Sequence, residues 1–178
     1  MQSVKSKNGR SDDTLHKNGK SIRPFEKLYR PTDREPFMDN RLKDKVAIVT
    51  GGARGIGAAF CEGLAQAGAK VVVADVLDGS AVAERIAERQ AQSIYLRADV
   101  TSKDSVENLV AETVRQFRTV DILVNNAALF ADLRVKPFQD IDEAEWDRVM
   151  AVNVRGPFQC AKAVAPVMES LKKRLSRR

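Results

Sequence analysis

The most constraining feature of this chain is a junction. The apolar, β-branched run Val46-Ala47-Ile48-Val49-Thr50 passes directly into the cluster Gly51-Gly52-Ala53-Arg54-Gly55-Ile56-Gly57, and an amphipathic helical pattern begins inside that cluster. A short run with no polar alternation is expected where a strand is covered on both faces, as in a parallel sheet. After the glycines, Ile56, Ala59, Phe60, Gly63, Leu64 and Ala67 follow the i, i+3, i+4, i+7, i+8 rhythm of a helix with one apolar face, and Gly68 stops it. Few architectures accommodate a strand and helix joined so tightly.

The alternation continues down the chain. Residues 71–74 read as a second buried strand ending at Asp75, a weaker helix covers about 81–90, and residues 93–98 form a third strand ending at Asp99. Thr101 and Asp104 have the spacing of a capping box, which predicts a helix with the inward stripe Val106, Leu109, Val110, Thr113, Val114 and Phe117. A fourth strand is expected over 121–125, and one long helix over about 142–171. Repeated strand–helix–strand units imply an α/β fold: a doubly wound parallel sheet with helices on both faces and right-handed crossovers. Such sheets bind ligands outside the carboxyl ends of their strands, near the point where strand order reverses. Residues directly after strands are therefore the candidates.

Charge narrows the partners. The chain has 30 Lys and Arg against 24 Asp and Glu, a net charge of +6. Residues 1–40, polar, aperiodic and punctuated by Pro24, Pro31 and Pro36, carry +3 and read as a flexible leader; residues 172–178 carry +5 as a basic tail; the body, 41–171, sums to −2. The positive excess thus sits on the two ends. Neither end interleaves aromatics with base-reading side chains, so no nucleic-acid partner is expected. In the leader, Phe25, Leu28, Tyr29 and Phe37 form an apolar patch suited to a domain surface, with a disordered extension as the other reading. No run of eighteen apolar residues exists, so no membrane span is expected. Cys61 and Cys160, each in an apolar helical stretch, read as buried thiols in a reducing cytoplasm, and the lone histidine, His16, has no clustered ligands for a metal.

The glycine loop has a specific chemistry. One glycine permits the tight turn, another removes a Cβ that would block a pyrophosphate, and Gly57 lets helix and strand approach; the exposed amides and the helix dipole then favour phosphate. Gly51, Arg54, Gly55, Ile56 and Gly57 are accordingly the expected contacts of a dinucleotide. Asp75, twenty residues beyond Gly55 at a strand end, occupies the position from which an acid binds the adenosine ribose hydroxyls. A carboxylate there disfavours a 2′-phosphate, which predicts NAD over NADP; Arg54 offers a guanidinium that offsets this preference.

These residues carry a resemblance. The loop Thr50-Gly51-Gly52-Ala53-Arg54-Gly55-Ile56-Gly57 resembles that of the short-chain dehydrogenase/reductase family, whose sheet is Rossmann-like. Asp99-Val100 resembles the family pair that contacts the adenine ring. Asn125-Asn126-Ala127-Ala128 resembles its NNAG segment, with Asn126 and Ala127 near the cofactor. Asn153 matches the helix asparagine of its catalytic tetrad, whose main chain binds a water in a proton relay. Ala128 departs from the segment's final glycine, a mild change.

A second departure is larger. The resemblance implies an oxidoreductase that moves hydride between NAD and an alcohol or ketone, using a tyrosine whose pKa a lysine four residues on lowers, and a serine that orients the substrate. Here Tyr29 is followed by Asp33 and Tyr95 by Asp99, and only Ser170 and Ser176 lie beyond Asn153. The chain therefore reads as an incomplete domain, four strands of an expected seven, whose fourth strand has an open edge. It is expected to be inactive as it stands, its alcohol or ketone substrate belonging to a full-length relative. The last helix carries two apolar rows, Val154, Phe158, Ala161, Ala165 and Met168 beside Cys160, Val164, Val167 and Leu171, a face suited to self-association. A non-catalytic dinucleotide-binding or oligomerisation module remains the alternative.

Overall fold

The structure, a computed structural model, describes residues 16–17, 20–21, 40–130 and 133–175. The chain divides into Met1–Glu35 and Pro36–Arg178. In the first part, His16–Lys17 pairs antiparallel with Lys20–Ser21, His16 opposite Ser21. The patch of Phe25, Leu28, Tyr29 and Phe37 lies outside the described residues.

The second part is built on four parallel strands, β1 (Val46–Thr50), β2 (Lys70–Asp75), β3 (Ser93–Arg97) and β4 (Ile122–Asn125), in the order β3-β2-β1-β4. Successive strands step outward from β1 to β3, and the chain then returns to pair β4 on β1's other side. Strand order thus reverses between β1 and β4, with Thr50 opposite Asn125 at the carboxyl ends.

Side chains of a strand point alternately to the two faces, and each face here has its own core. Ala47, Val49, Val71 and Val73 pack against α1 (Gly55–Gln66) and α2 (Ser80–Glu88), whereas Ile48, Val72 and Ala74 pack against α3 (Lys103–Phe117) and α5 (Gly156–Leu175). The doubly wound expectation is met. Every residue of β1 is buried, while Ile122, Leu123 and Val124 of β4 are only half-buried, because among the described residues β4 pairs with β1 alone.

Local chemistry sets the helix ends. Gly68, at φ +95, closes α1: its N–H donates to Ala65 O and that of Ala69 to Leu64 O, satisfying two orphan carbonyls. At α3 the structure corrects the expected cap by one residue. Ser102, not Thr101, is the N-cap and its hydroxyl accepts from Ser105 N, while Thr101 is diverted to Asp99, whose Oδ1 accepts from the Thr101 amide and hydroxyl at 2.8 and 2.7 Å.

The last helical stretch is also not one regular helix. Asp142 caps α4 (Glu143–Met150) by accepting from Glu145 N at 2.7 Å; a π-helical turn, Ala151–Arg155, follows, and α5 continues through Pro166 to Leu175. Four residues of the basic run at the chain's end are therefore helical. Of its two apolar rows, Cys160 and Val164 are buried on the sheet, whereas Val154, Phe158, Ala161 and Ala165 face outward.

Candidate functional site

The carboxyl ends of β1, β2 and β4 converge on the glycine loop. Gly51 has φ +66, and a Cβ on it would meet the Ala127 backbone at 2.7 Å. A Cβ on Gly57 would collide with the Gly51 carbonyl oxygen and lie 2.6 Å from Asn126 Nδ2. These two glycines are spent on packing the loop between α1 and β4. Gly55 differs: it has φ +55, and the space its Cβ would enter is empty to 4 Å. A Cβ at Gly55 would thus point into open space, so this glycine leaves the approach to the start of α1 clear.

That clear approach leads to unsatisfied donors. Arg54, the N-cap of α1, is extended at φ −153 and caps nothing with its side chain, and the first turn carries no acid. The first intrahelical bond runs from Ala58 N to Arg54 O, which leaves the amides of the preceding turn free for a ligand. α3 and α4 differ in having their first turns capped by Ser102 and Asp142. An uncapped helix end with its dipole, beside a glycine that clears the approach, fits a pyrophosphate. Ile56, at 71% exposure, projects beside it.

Three tethers shape the loop. Thr50, fully buried, uses its hydroxyl as a hub: it donates to Val124 O and accepts from the amides of Asn126 and Ala127 at 3.1 and 3.2 Å. Asn126 returns the link, its Nδ2 donating to Thr50 O at 3.1 Å and Gly51 O at 2.9 Å. Asp75 holds the other side, Oδ2 accepting from Ala53 N and Oδ1 from Leu77 N, both at 3.0 Å. Asp75 is 8% exposed, so a ribose hydroxyl would share a carboxylate already engaged by two amides.

The remaining expected residues form a neighbouring wall. Asp99 is exposed, and beyond Thr101 no protein donor among the described residues reaches its side chain. Val100 is buried against Val106 and Cys160; its carbonyl accepts from Gln159 Nε2, and a Cβ on Gly156 would lie 2.8 Å from its Cγ2. Asn153 sits within the π-helical turn and clamps the loop after β4 through both ends of its amide: Oδ1 accepts from Leu129 N at 2.8 Å and Nδ2 donates to Leu129 O at 3.2 Å. The widened turn lets this clamp form while Gly156 stays against Val100. π-helical turns concentrate at functional sites.

Two features escaped sequence reasoning. Thr50 was visible in the loop motif, but a threonine ending a strand gives no sign that its hydroxyl joins three backbone groups. The π turn has no residue signature at all. Tyr95, in β3, is no substitute for a tyrosine base: its phenol is raised above its ordinary value, chiefly by burial and then by Asp78. Both cysteines are buried free thiols, with Cys61 pushed up to about 12 and Cys160 to about 11, in each case mainly by desolvation. Among the described residues, no cluster of three or more His, Cys, Asp or Glu could hold a metal, and no helix is long and apolar enough to cross a membrane.

Comparison with known proteins bears on the same residues. A family model described as short chain dehydrogenase matches residues 45–175. An uncharacterized oxidoreductase of Thermotoga maritima is 40% identical over 129 residues, 71% of this chain and 49% of that protein. Secoisolariciresinol dehydrogenase of Forsythia intermedia is 42% identical over 130 residues, 72% of this chain and 46% of the relative. The crystal structure of a hydroxysteroid dehydrogenase from Escherichia coli superposes with a TM-score of 0.68 at 36% identity, over 73% of this chain and 55% of that one. The chain spans about half the length of the curated relatives it matches.

Proposed function

Because the chain belongs to the short chain dehydrogenase family of oxidoreductases, we propose that its body binds NAD, in preference to NADP, at the carboxyl ends of β1, β2 and β4. The observation that carries this reading is the clear approach at Gly55 to the uncapped first turn of α1, on a loop that Asp75 holds through the Ala53 amide. In this reading Arg54, Gly55 and Ile56 seat the pyrophosphate on a loop that Gly51 and Gly57 shape by packing, Asp75 takes the adenosine ribose, Asp99 and Val100 border the adenine, and Asn126 and Ala127 line the far side. In a relative that also carries the proton-transfer residues, the bound nicotinamide would supply hydride exchange with an alcohol or ketone.

Proton transfer needs a group of matched pKa within reach of the reacting oxygen. The family resemblance assigns that task to a Tyr-x-x-x-Lys pair, which these 178 residues do not contain. We therefore propose that the chain as given binds the dinucleotide without turning over an alcohol. The experiment is a calorimetric titration with NAD and NADP, combined with a turnover assay on a panel of secondary alcohols. Saturable NAD binding without turnover is expected. Turnover above buffer that disappears in Gly55→Ala would overturn the second half of the reading; no binding of either dinucleotide would overturn the first.

The outward row of Val154, Phe158, Ala161 and Ala165 on α5 supports self-association, to be read from the sedimentation of the purified chain. Two buried free thiols suit a reducing compartment and support a cytoplasmic location.

A further inference from the structure

The parallel register sets Arg97 of β3 directly across from Asp75 of β2, with Tyr95 across from Val73 two residues earlier. Residues two apart on a strand share a face, so Tyr95 and Arg97 rise on the face that carries Val73 and Asp75. Gly79 marks that face: a Cβ on it would lie 2.7 Å from Val73 Cγ1 and 2.9 Å from Tyr95 Cδ2. Arg97 therefore flanks Asp75 on the side opposite β1 and its glycine loop.

A cation beside a carboxylate ordinarily pairs with it, yet here no such pair forms. Asp75 is turned toward backbone, its two oxygens taken by the Ala53 and Leu77 amides. Arg97 is exposed and has no hydrogen bond or ion pair with the described residues. Arg54, on the glycine-loop side, is likewise exposed and unpaired. Asp75 thus has Arg97 across from it on β3 and Arg54 in the glycine loop on its other side, and neither arginine is paired with it. The charge of Arg97 reaches this neighbourhood: burial and Asp78 raise the Tyr95 phenol, and Arg97 opposes them.

We propose that Arg97 is a cofactor-specificity residue: it offers a phosphate on the ribose 2′-oxygen the charge that Asp75 withholds, and so limits the discrimination between NAD and NADP. This rests on the reading of Asp75 as the ribose ligand. A guanidinium presents a planar fork of donors that matches phosphate oxygens, and phosphate carries more charge than a single carboxylate, so the contact favours 2′-phosphorylated ligands and weakens with salt.

The test compares adenosine 2′-phosphate 5′-diphosphate with ADP, which differ only by the phosphate on the ribose 2′-oxygen and lack the nicotinamide, by calorimetric titration into the full chain, Arg97→Ala and Arg54→Ala at low and high salt. Circular dichroism melting verifies that each variant is folded. Arg97→Ala is expected to weaken the 2′-phosphorylated ligand about three- to tenfold more than ADP, with the difference shrinking at high salt. An unchanged ratio in Arg97→Ala overturns the proposal, as does a loss carried wholly by Arg54→Ala. Failure of ADP itself to bind the parent chain removes the underlying site and the proposal with it.

Discussion

Gly55 and Gly57 stand two residues apart in one loop, and the structure assigns them opposite tasks, so replacing each by alanine separates ligand binding from folding. At Gly55 an added Cβ meets nothing within 4 Å, and the cost is only that of holding a side chain at φ +55, about 1 kcal/mol. At Gly57 the same methyl strikes the Gly51 carbonyl and crowds Asn126 Nδ2 at 2.6 Å. Relief requires α1 to move off β1 or the Asn126–Gly51 bond to break, which costs about 2–4 kcal/mol. For a body of this size each kcal/mol lowers Tm by about 4 °C. Gly55→Ala should therefore melt about 4 °C below the parent and Gly57→Ala about 8–16 °C below it. Binding reverses the order of interest. The Gly55→Ala methyl stands in the approach to the uncapped amides, and a loss of at least about tenfold in NAD affinity, some 1.4 kcal/mol, is expected from a protein that is still folded. Differential scanning fluorimetry and calorimetric titration on both variants decide the matter. A Gly55→Ala chain that binds NAD as the parent does removes the phosphate from this helix end, and a Gly57→Ala chain as stable as Gly55→Ala refutes the packing argument.

Three further perturbations probe the supports. Thr50→Val keeps the shape but strands the amide of Ala127 and leaves that of Asn126 with Val124 O alone, so a stability loss of about 1–3 kcal/mol by urea unfolding is expected, together with weaker NAD binding; an unchanged midpoint would contradict the hub. Asn153→Ala removes both bonds to Leu129 and should raise amide hydrogen exchange at Leu129 while the exchange of β1 stays slow; unaltered exchange at Leu129 counts against the clamp. Burial holds the Cys61 thiol near 12, whereas the unfolded chain ionises at its ordinary value of 9.0, so this contribution to stability is complete below pH 9 and is lost as pH rises toward 12. Urea midpoints should fall between pH 9 and pH 11 with a slope that Cys61→Ala reduces; an equal slope in both proteins opposes this assignment.

The parts of this fold legible in sequence are those set by local, periodic physics. The strand at 46–50 and the stripe Val106, Leu109, Val110, Thr113 announce themselves because burial on two faces or on one imposes a period, and Gly68 announces a helix end because few other residues tolerate its φ of +95. The residues after the strands, Gly51, Asp75, Asn126 and Ala127, were identifiable as a group because a parallel sheet brings its carboxyl ends together. What each one touches was not. The Asp75 carboxylate faces the Ala53 amide, Asn126 reaches back across the sheet to Gly51, and Asn153 acts through Leu129 rather than standing alone. These are contacts between residues 22 to 75 positions apart, and no local pattern encodes them. The capping box at Thr101 failed by one position for a similar reason: Asp99 competes for Thr101 and leaves Ser102 to cap the helix.

The ties between Thr50, Gly51 and the segment after β4 have a thermodynamic consequence. β4 is the half-exposed edge of the sheet, and the glycine loop keeps its form only while Asn126 and Ala127 are docked against it. A ligand that requires the shaped loop must then bind the docked state of β4 in preference to any state in which that edge has peeled away. By linkage, occupancy of the loop pulls this edge strand home, and its fraying reports whether the loop is occupied.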